Sequence, residues 1–143
     1  MIDIRLATAR DTAPIEALLQ SVGLPTADLA SAKPLFVIAS EGDLLIGVAA
    51  IERFGESALV RSVAVVSAHR SRGVGHALVE QVERQARKEG AKQLILLTER
   101  AKTFFLREGY RVIERAKAPA AVQASEEFRS LCPQSAICMA KHL

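Results

Sequence analysis

Val63-Ala64-Val65-Val66-Ser67-Ala68-His69-Arg70-Ser71-Arg72-Gly73-Val74-Gly75-His76-Ala77-Leu78 decides how this chain is read. An apolar, β-branched run ends a strand, a turn rich in Arg and Gly follows, and a helix begins. A turn of this kind points several backbone N–H groups one way, at the positive end of the helix dipole, which makes an anion site. Gly73 and Gly75 leave out side chains where a phosphate would approach the backbone. Arg70 and Arg72 add positive charge. Two rival phosphate motifs fit worse. The Walker pattern ends in Gly-Lys-Ser/Thr, which does not occur here, and the dinucleotide fingerprint needs a third glycine where this chain has Leu78. Taken alone, the stretch also describes a tight turn with solvated arginines.

The elements on either side give it a setting. Val74 to Glu89 predicts an amphipathic helix, with Val74, Leu78, Val82 and Ala86 on one face. Glu80, Glu83, Arg84, Arg87 and Lys88 are expected on the other, and Gly90 stops the helix. Upstream, Met1 to Ala7 alternates like a strand. Asp11 is placed to cap a helix carrying Ile15, Leu18, Leu19 and Val22 and ending at Gly23. Leu24 to Pro34 reads as a loop with one helical turn near Ala27-Asp28-Leu29. Strands follow at Leu35–Ser40, Leu44–Arg53 and Ala58–Val66, joined by turns at Glu41-Gly42-Asp43 and Phe54-Gly55-Glu56-Ser57. Downstream, Leu94-Ile95-Leu96-Leu97 is apolar without alternation, as in a strand covered on both faces. A short helix over Ala101–Glu108, a strand over Tyr110–Glu114, a helical turn or two within Pro119–Leu131 and a strand over Ile137–Ala140 complete the pattern. The order is that of one mixed α/β (α+β) domain spanning residues 1–143.

Composition sets limits on function. A chain of 143 residues suits one domain and buries a core without a disulfide or metal staple. No apolar run approaches the ~20 residues of a membrane span, and the first residues lack the apolar core of a signal peptide, so we expect a cytoplasmic protein without a membrane partner. The formal charge of +3 is mild, and the basic residues are interleaved with acids. With one Tyr, no Trp and five Phe, stacking surfaces are scarce, and no nucleic-acid partner is expected. Cys132 and Cys138 match no common zinc spacing, so no metal is expected and both read as reduced thiols.

Arg70-x-x-Gly73-x-Gly75 resembles the R/Q-x-x-G-x-G/A signature of the GNAT N-acetyltransferases, and it sits on the expected strand–turn–helix. Thr98-Glu99-Arg100-Ala101-Lys102-Thr103-Phe104-Phe105-Leu106-Arg107-Glu108-Gly109-Tyr110 is similar to the family's N-x-x-A-x-x-F-Y-x-x-x-G-F element. The resemblance covers nearly the whole chain. It implies the GNAT acyl-CoA N-acyltransferase fold, with a mixed central sheet of six to seven strands flanked by helices. It also implies an acetyl-CoA-dependent N-acetyltransferase that acts on the amine of a small molecule. The pyrophosphate of the co-substrate would lie on Arg70, Ser71, Arg72, Gly73, Val74, Gly75 and His76, and its pantetheine arm along Val63, Ala64 and Val65. Thr98, Ala101, Phe104 and Phe105 would complete the binding site. Pro119, Glu127-Phe128 and Leu131-Cys132-Pro133-x-Ser135-Ala136-x-Cys138-Met139 are similar to short GNAT proteins of bacterial arsenic-resistance operons. That narrower likeness implies an organoarsenical or amino-acid-like acceptor.

Acetyl transfer needs a neutral amine, a donor for the developing oxyanion and a route for the leaving thiolate. The resemblance implies the Val65 N–H as the oxyanion donor. Many family members protonate the thiolate with a Tyr at the position of Phe105, so the usual acid is missing here. Glu52, at a strand end beyond Val48–Ile51, is the first candidate base, and Glu99 the second. His69 is a weaker candidate that exposure favours as a surface residue. Arg53 and Arg61 could hold an acceptor carboxylate, although solvated arginines are the simpler reading. Two alternatives stay open, a non-catalytic acyl-CoA sensor and an arsenite-binding protein using Cys132 and Cys138. A homodimer is also left open.

Overall fold

The computed structural model describes residues 2–70 and 72–143; Ser71 of the predicted turn and Met1 lie outside the described residues. Seven strands form one mixed sheet: β1 (Ile2–Leu6), β2 (Leu35–Glu41), β3 (Leu44–Phe54), β4 (Ser57–Val65), β5 (Gln93–Thr98), β6 (Arg111–Ile113) and β7 (Ile137–His142). Their spatial order is β1-β2-β3-β4-β5-β7-β6. Neighbours are antiparallel except β4 and β5, which run parallel because the helix α3 (Val74–Lys88) carries the chain across between them. The other helices are α1 (Thr12–Ser21), α2 (Leu29–Ala32), α4 (Lys102–Arg107) and α5 (Ala120–Gln123), with a five-residue π turn at Glu127–Leu131. No helix among the described residues is long and apolar enough to cross a membrane.

The two faces of the sheet are covered differently. One face packs against α3 through Val37, Ile46, Ala49, Ile51, Val60, Leu94, Leu96 and Met139. The other is split. Ile15, Leu19 and Leu29 cover Ile38, Val48 and Ala64, whereas Val122 and Phe128 cover Leu59, Ile95 and Cys138. Leu94 and Leu96 thus point one way and Ile95 the other, all buried, which explains why β5 shows no alternation.

Two local expectations need correction. Glu83 does not face solvent. It is buried on α3, where it accepts from the Tyr110 hydroxyl at 3.0 Å and from Lys141 Nζ at 3.1 Å. Burial becomes affordable because both donors come from elements that close over it. Asp11 precedes α1 but its carboxylate does not cap it. It accepts instead from Arg5 Nη1 at 2.9 Å and the Thr8 amide at 2.8 Å, and Arg5 holds it down at about 2.

β4 is irregular. Ala50 stands opposite Arg61 while Val48 stands opposite Ala64, so Ala49 faces two residues, Ser62 and Val63. Ser62 takes a left-handed conformation, φ 56°, to make this bulge. The extra residue reverses the alternation: Leu59 packs on the split face before the bulge and Ala64 after it, while Val60, Val63 and Val65 pack toward α3. Pairing between β4 and β5 ends with Leu59↔Ile95, although β4 continues to Val65 and β5 to Thr98. The two central strands therefore open into a fork.

Helix α3 reaches the mouth of this fork because β3 carries Gly47 beneath it. A Cβ there would sit 2.9 Å from Leu78 Cδ1, 3.2 Å from Val74 Cγ1 and 3.3 Å from the Ala64 carbonyl oxygen. Gly47→Val should therefore push α3 off the sheet at its first turn, costing about 1–3 kcal/mol as overpacking does. Thermal unfolding followed by circular dichroism should show a lowered midpoint.

Candidate active site

The fork's open edge belongs to β4. Val66 donates its amide to Ile46 of β3 at 2.8 Å, so by alternation Val65 turns its own amide and carbonyl toward the fork. The Val65 carbonyl accepts from Arg70 Nε at 3.1 Å, which folds the Arg70 side chain back on the strand end. Val63 faces the fork by the same alternation, one step deeper, while the backbone of Ala64 is directed to its partner Val48 on β3.

The chain leaves β4 through a single 3-10 turn, Ser67–His69, and enters α3 at Gly73. Gly73 adopts φ 78°, the left-handed region, as the residue that caps the helix. The amides of Val74, Gly75 and His76 open α3, in the first turn, whose N–H groups have no partner within the helix. Gly75 serves packing as well as approach. A Cβ there would lie 3.3 Å from the Phe104 ring and 3.9 Å from Val65 Cγ2. Val65, Gly75 and Phe104 thus meet where β4, α3 and α4 come together. On the opposite bank, the Thr98 hydroxyl accepts from the Ala101 amide at 3.0 Å and fixes the entry to α4.

The charged groups of the turn are already paired. Arg72 Nη2 lies 3.5 Å from Glu41, which also meets His69 Nε2 at 3.1 Å. His69 is therefore partly buried rather than a plain surface residue. Its hydrogen bond, followed by the charge of Arg72, lowers the Glu41 carboxyl below its usual range. His76 Nδ1 is 2.9 Å from Glu108, whose hydrogen bond raises the imidazole above its ordinary value.

Phe105 is buried in the core and packs edge-on against Phe104 and Tyr110. The Tyr110 hydroxyl, the chain's only phenol, is committed to Glu83, and burial pushes its pKa well up. Neither aromatic is placed to protonate a thiolate at the fork. Glu99 and Arg53 are exposed, and Arg53 Nε donates to the Gly55 carbonyl at 2.9 Å.

Arg61 overturns the simple reading of a solvated arginine. Its side chain has no exposed surface. Its two terminal nitrogens grip Asp28, at 2.5 and 2.7 Å, in a two-pronged pair. Nη1 also donates to Glu52 at 3.2 Å, Nε donates to Ser62 Oγ at 3.3 Å, and Glu127 stands 3.6 Å from Nε. One guanidinium thus faces three carboxylates from three parts of the chain: the residue before α2, the strand β3 and the π turn. Glu52 is only 14% exposed. Burial raises its carboxyl, against the pull of Arg61. Glu127 is 5% exposed and rises to about 7, first by burial and then through Asp28 and Glu52, with Arg61 opposing. Among the described residues no group of three His, Cys, Asp or Glu side chains is set to hold a metal ion.

One signal for this cluster lay in the sequence. An Arg inside Ala58-Leu59-Val60-Arg61-Ser62-Val63, a run that must be buried, needs acidic partners. Nothing in the local pattern identifies Asp28 or Glu127 as those partners. A cavity of about 410 Å³ beside α1 and α2, reaching Leu29 and Lys33, lies away from the turn.

The pattern of the Acetyltransferase (GNAT) domain family matches residues 32–112. A Chlorobaculum tepidum protein named an uncharacterized N-acetyltransferase is 35% identical over 85 residues, covering 59% of this chain and 54% of its own, so the match spans about half of that relative. The N-acetylglutamate synthase of Neisseria gonorrhoeae, solved with coenzyme A and N-acetyl-glutamate, superposes with a TM-score of 0.85 at 20% identity, covering 100% of this chain and 35% of that one. A Mycobacterium tuberculosis protein solved with CoA superposes with a TM-score of 0.82 at 24% identity, covering 99% of both chains.

Removing the guanidinium should be costly. Arg61→Ala leaves three carboxylates together in a buried site, and breaking a buried pair in this way costs about 3–5 kcal/mol. Urea unfolding should show a lower midpoint at pH 7 with an unchanged slope.

Proposed function

Because the chain belongs to the GNAT acetyltransferase family, we propose that it is an acetyl-CoA-dependent N-acetyltransferase acting on the amine of a small molecule. The observation that carries this reading is the fork between β4 and β5 with the N-terminus of α3 at its mouth. The pyrophosphate would lie over the turn from Arg70 to His76, met by the amides of Val74, Gly75 and His76 and by the freed charges of Arg70 and Arg72. The pantetheine arm would run inward between the strands, bonded to the fork-facing backbone of Val63 and Val65 and flanked by Thr98, Ala101 and Phe104. Its thioester would then reach the crotch, where the strands first part.

In this reading the enzyme contributes position and electrostatics. Holding thioester and amine together supplies much of the rate. The Val65 amide donates to the carbonyl oxygen as it gains charge; a fixed donor there contributes about 3 kcal/mol. The carboxylates around Arg61, Glu52 among them, remove the amine's proton. With Phe105 in the core and Tyr110 held by Glu83, the thiolate leaves without a phenol to protonate it.

An amino-acid-like acceptor is supported by the N-acetyl-glutamate bound to the Neisseria neighbour. An organoarsenical of that shape, within an arsenic-resistance role, rests on the C-terminal resemblance around Cys132 and Cys138. A direct arsenite site at those thiols is less favoured, since burial pushes them up to about 12 and about 11 and keeps them protonated. A non-catalytic acyl-CoA sensor is the second reading, favoured by the missing phenol.

Thiol release from acetyl-CoA against amino acids, amino-acid-like arsenicals, polyamines and peptides separates these readings, since a sensor binds coenzyme A and releases no thiol with any of them. The placement of the coenzyme has its own test. A Cβ at Gly73 meets nothing within 4 Å, and Asp is one of the few residues that enter the left-handed region, at about 1–2 kcal/mol, so Gly73→Asp should fold with a lowered stability. Its added charge at the helix start should weaken coenzyme A binding at least about tenfold in calorimetry. Unchanged affinity would reject this placement.

A further inference from the structure

We infer that Glu127 is the group that binds the acceptor's ammonium and takes its proton, an assignment that rests on the transferase reading above. Arg61, at the centre of the carboxylate cluster, lies two residues beyond Leu59, the last position of β4 paired to β5. The cluster therefore sits at the crotch of the fork, on the face covered by α1, α2 and the π turn, where the thioester would arrive.

The three carboxylates are not equivalent there. Asp28 is spent, accepting from both terminal nitrogens of Arg61. Glu52 accepts from Nη1. Glu127 has the longest contact, 3.6 Å to Nε, and that Nε donates to Ser62 Oγ. Among the described residues no group donates a hydrogen bond to the Glu127 carboxylate, although the side chain is only 5% exposed. A buried carboxylate without donors favours either a proton of its own or an incoming N–H group. An ammonium supplies both, since it carries three donors and one proton to lose.

The segment bearing Glu127 is built to hold it inward. Arg115 lies over the Phe128 ring and donates to the Phe128 and Pro133 carbonyls, at 3.3 and 2.9 Å. The Phe128 amide donates to Ser125 Oγ at 3.3 Å. The π turn is a rare conformation, and π turns are frequent at functional sites. The charged and titratable groups acting on Glu127 are Arg61 of β4, Asp28 before α2 and Glu52 of β3; Cys132, just past the end of its own segment, is the thiol that feels its charge. Burial and the two neighbouring carboxylates hold Glu127 near neutrality, where a general base works best.

The step balances as follows. The ammonium gives one proton to a Glu127 oxygen and becomes a neutral amine. Its nitrogen attacks the thioester carbonyl, forming the C–N bond. The C–S bond breaks with its electron pair on sulfur, and the nitrogen's second proton passes to that thiolate, directly or through water. Glu127 then returns its proton to solvent. The products are the amide, coenzyme A thiol and one proton.

Two measurements test this. In the parent protein, carbon-13 detection of Glu side chains should find one carboxyl titrating near pH 7 that is absent from Glu127→Gln; if every Glu titrates in the ordinary carboxylate range, the assignment falls. With an amine from the thiol-release screen, Glu127→Gln should bind coenzyme A as the parent does and lose about 100-fold or more in kcat/KM at pH 7. The loss should shrink at high pH, where solvent deprotonates the amine, and the parent's inflection near neutrality should disappear. An active parent whose rate and pH profile survive Glu127→Gln overturns this assignment alone. A parent that acetylates no amine at any pH overturns the transferase reading and this assignment with it.

Discussion

One backbone irregularity governs the centre of this molecule. A parallel pair such as β4 and β5 normally satisfies its edges along its whole length. Here the extra residue at Ser62 bends β4 away after three paired positions. Left-handed backbone is costly for a non-glycine residue and persists only where its surroundings enforce it. Those surroundings are visible. β3 pairs with β4 on both sides of the bulge, and Ser62 Oγ is tied to Arg61 Nε. The bulge leaves backbone donors and acceptors of Val63 and Val65 facing a gap, and it switches which face the following side chains cover. An extended, polar-edged groove in the middle of a sheet is a direct consequence.

The second organising feature is the guanidinium beside that bulge. The split face carries two separate apolar clusters, one under α1 and α2 and one under α5 and the π turn. Arg61 stands between them and reaches charge partners on both sides, Asp28 on one and Glu127 on the other. A buried ion pair adds little net stability over an apolar substitute. What this one adds is geometry, because two segments far apart in the chain must meet at a single donor. It also leaves negative charge in excess at the crotch, where a positively charged amine would have to lose a proton.

The opposite face uses the same device for a structural end. Glu83 draws in the Tyr110 hydroxyl and Lys141 Nζ, and the ammonium of Lys141 also donates to the Glu108 carbonyl at 2.8 Å. This network joins α3, the end of α4 and β7. It ties up the chain's phenol away from the fork.

Much of this was determined by the sequence alone. Periodicity placed the strands and α3 to within a residue or two, because apolar faces must be buried and the spacing of buried residues reports the element. The Arg70–Gly75 pattern located the turn at the mouth of the fork, because a positive φ and a close approach at a helix start both demand small residues. The tertiary structure alone decided the rest. No local pattern encodes a bulge at Ser62, since that residue is forced there by register with β3. Nor does any spacing bring Asp28, Glu52, Arg61 and Glu127 together, because four charged groups share one buried point only after the sheet and both flanking segments have closed. Glu83 reads as a surface residue from sequence because burial of a carboxylate depends on partners contributed by distant strands and turns, and charge burial is settled by those partners rather than by the residue itself.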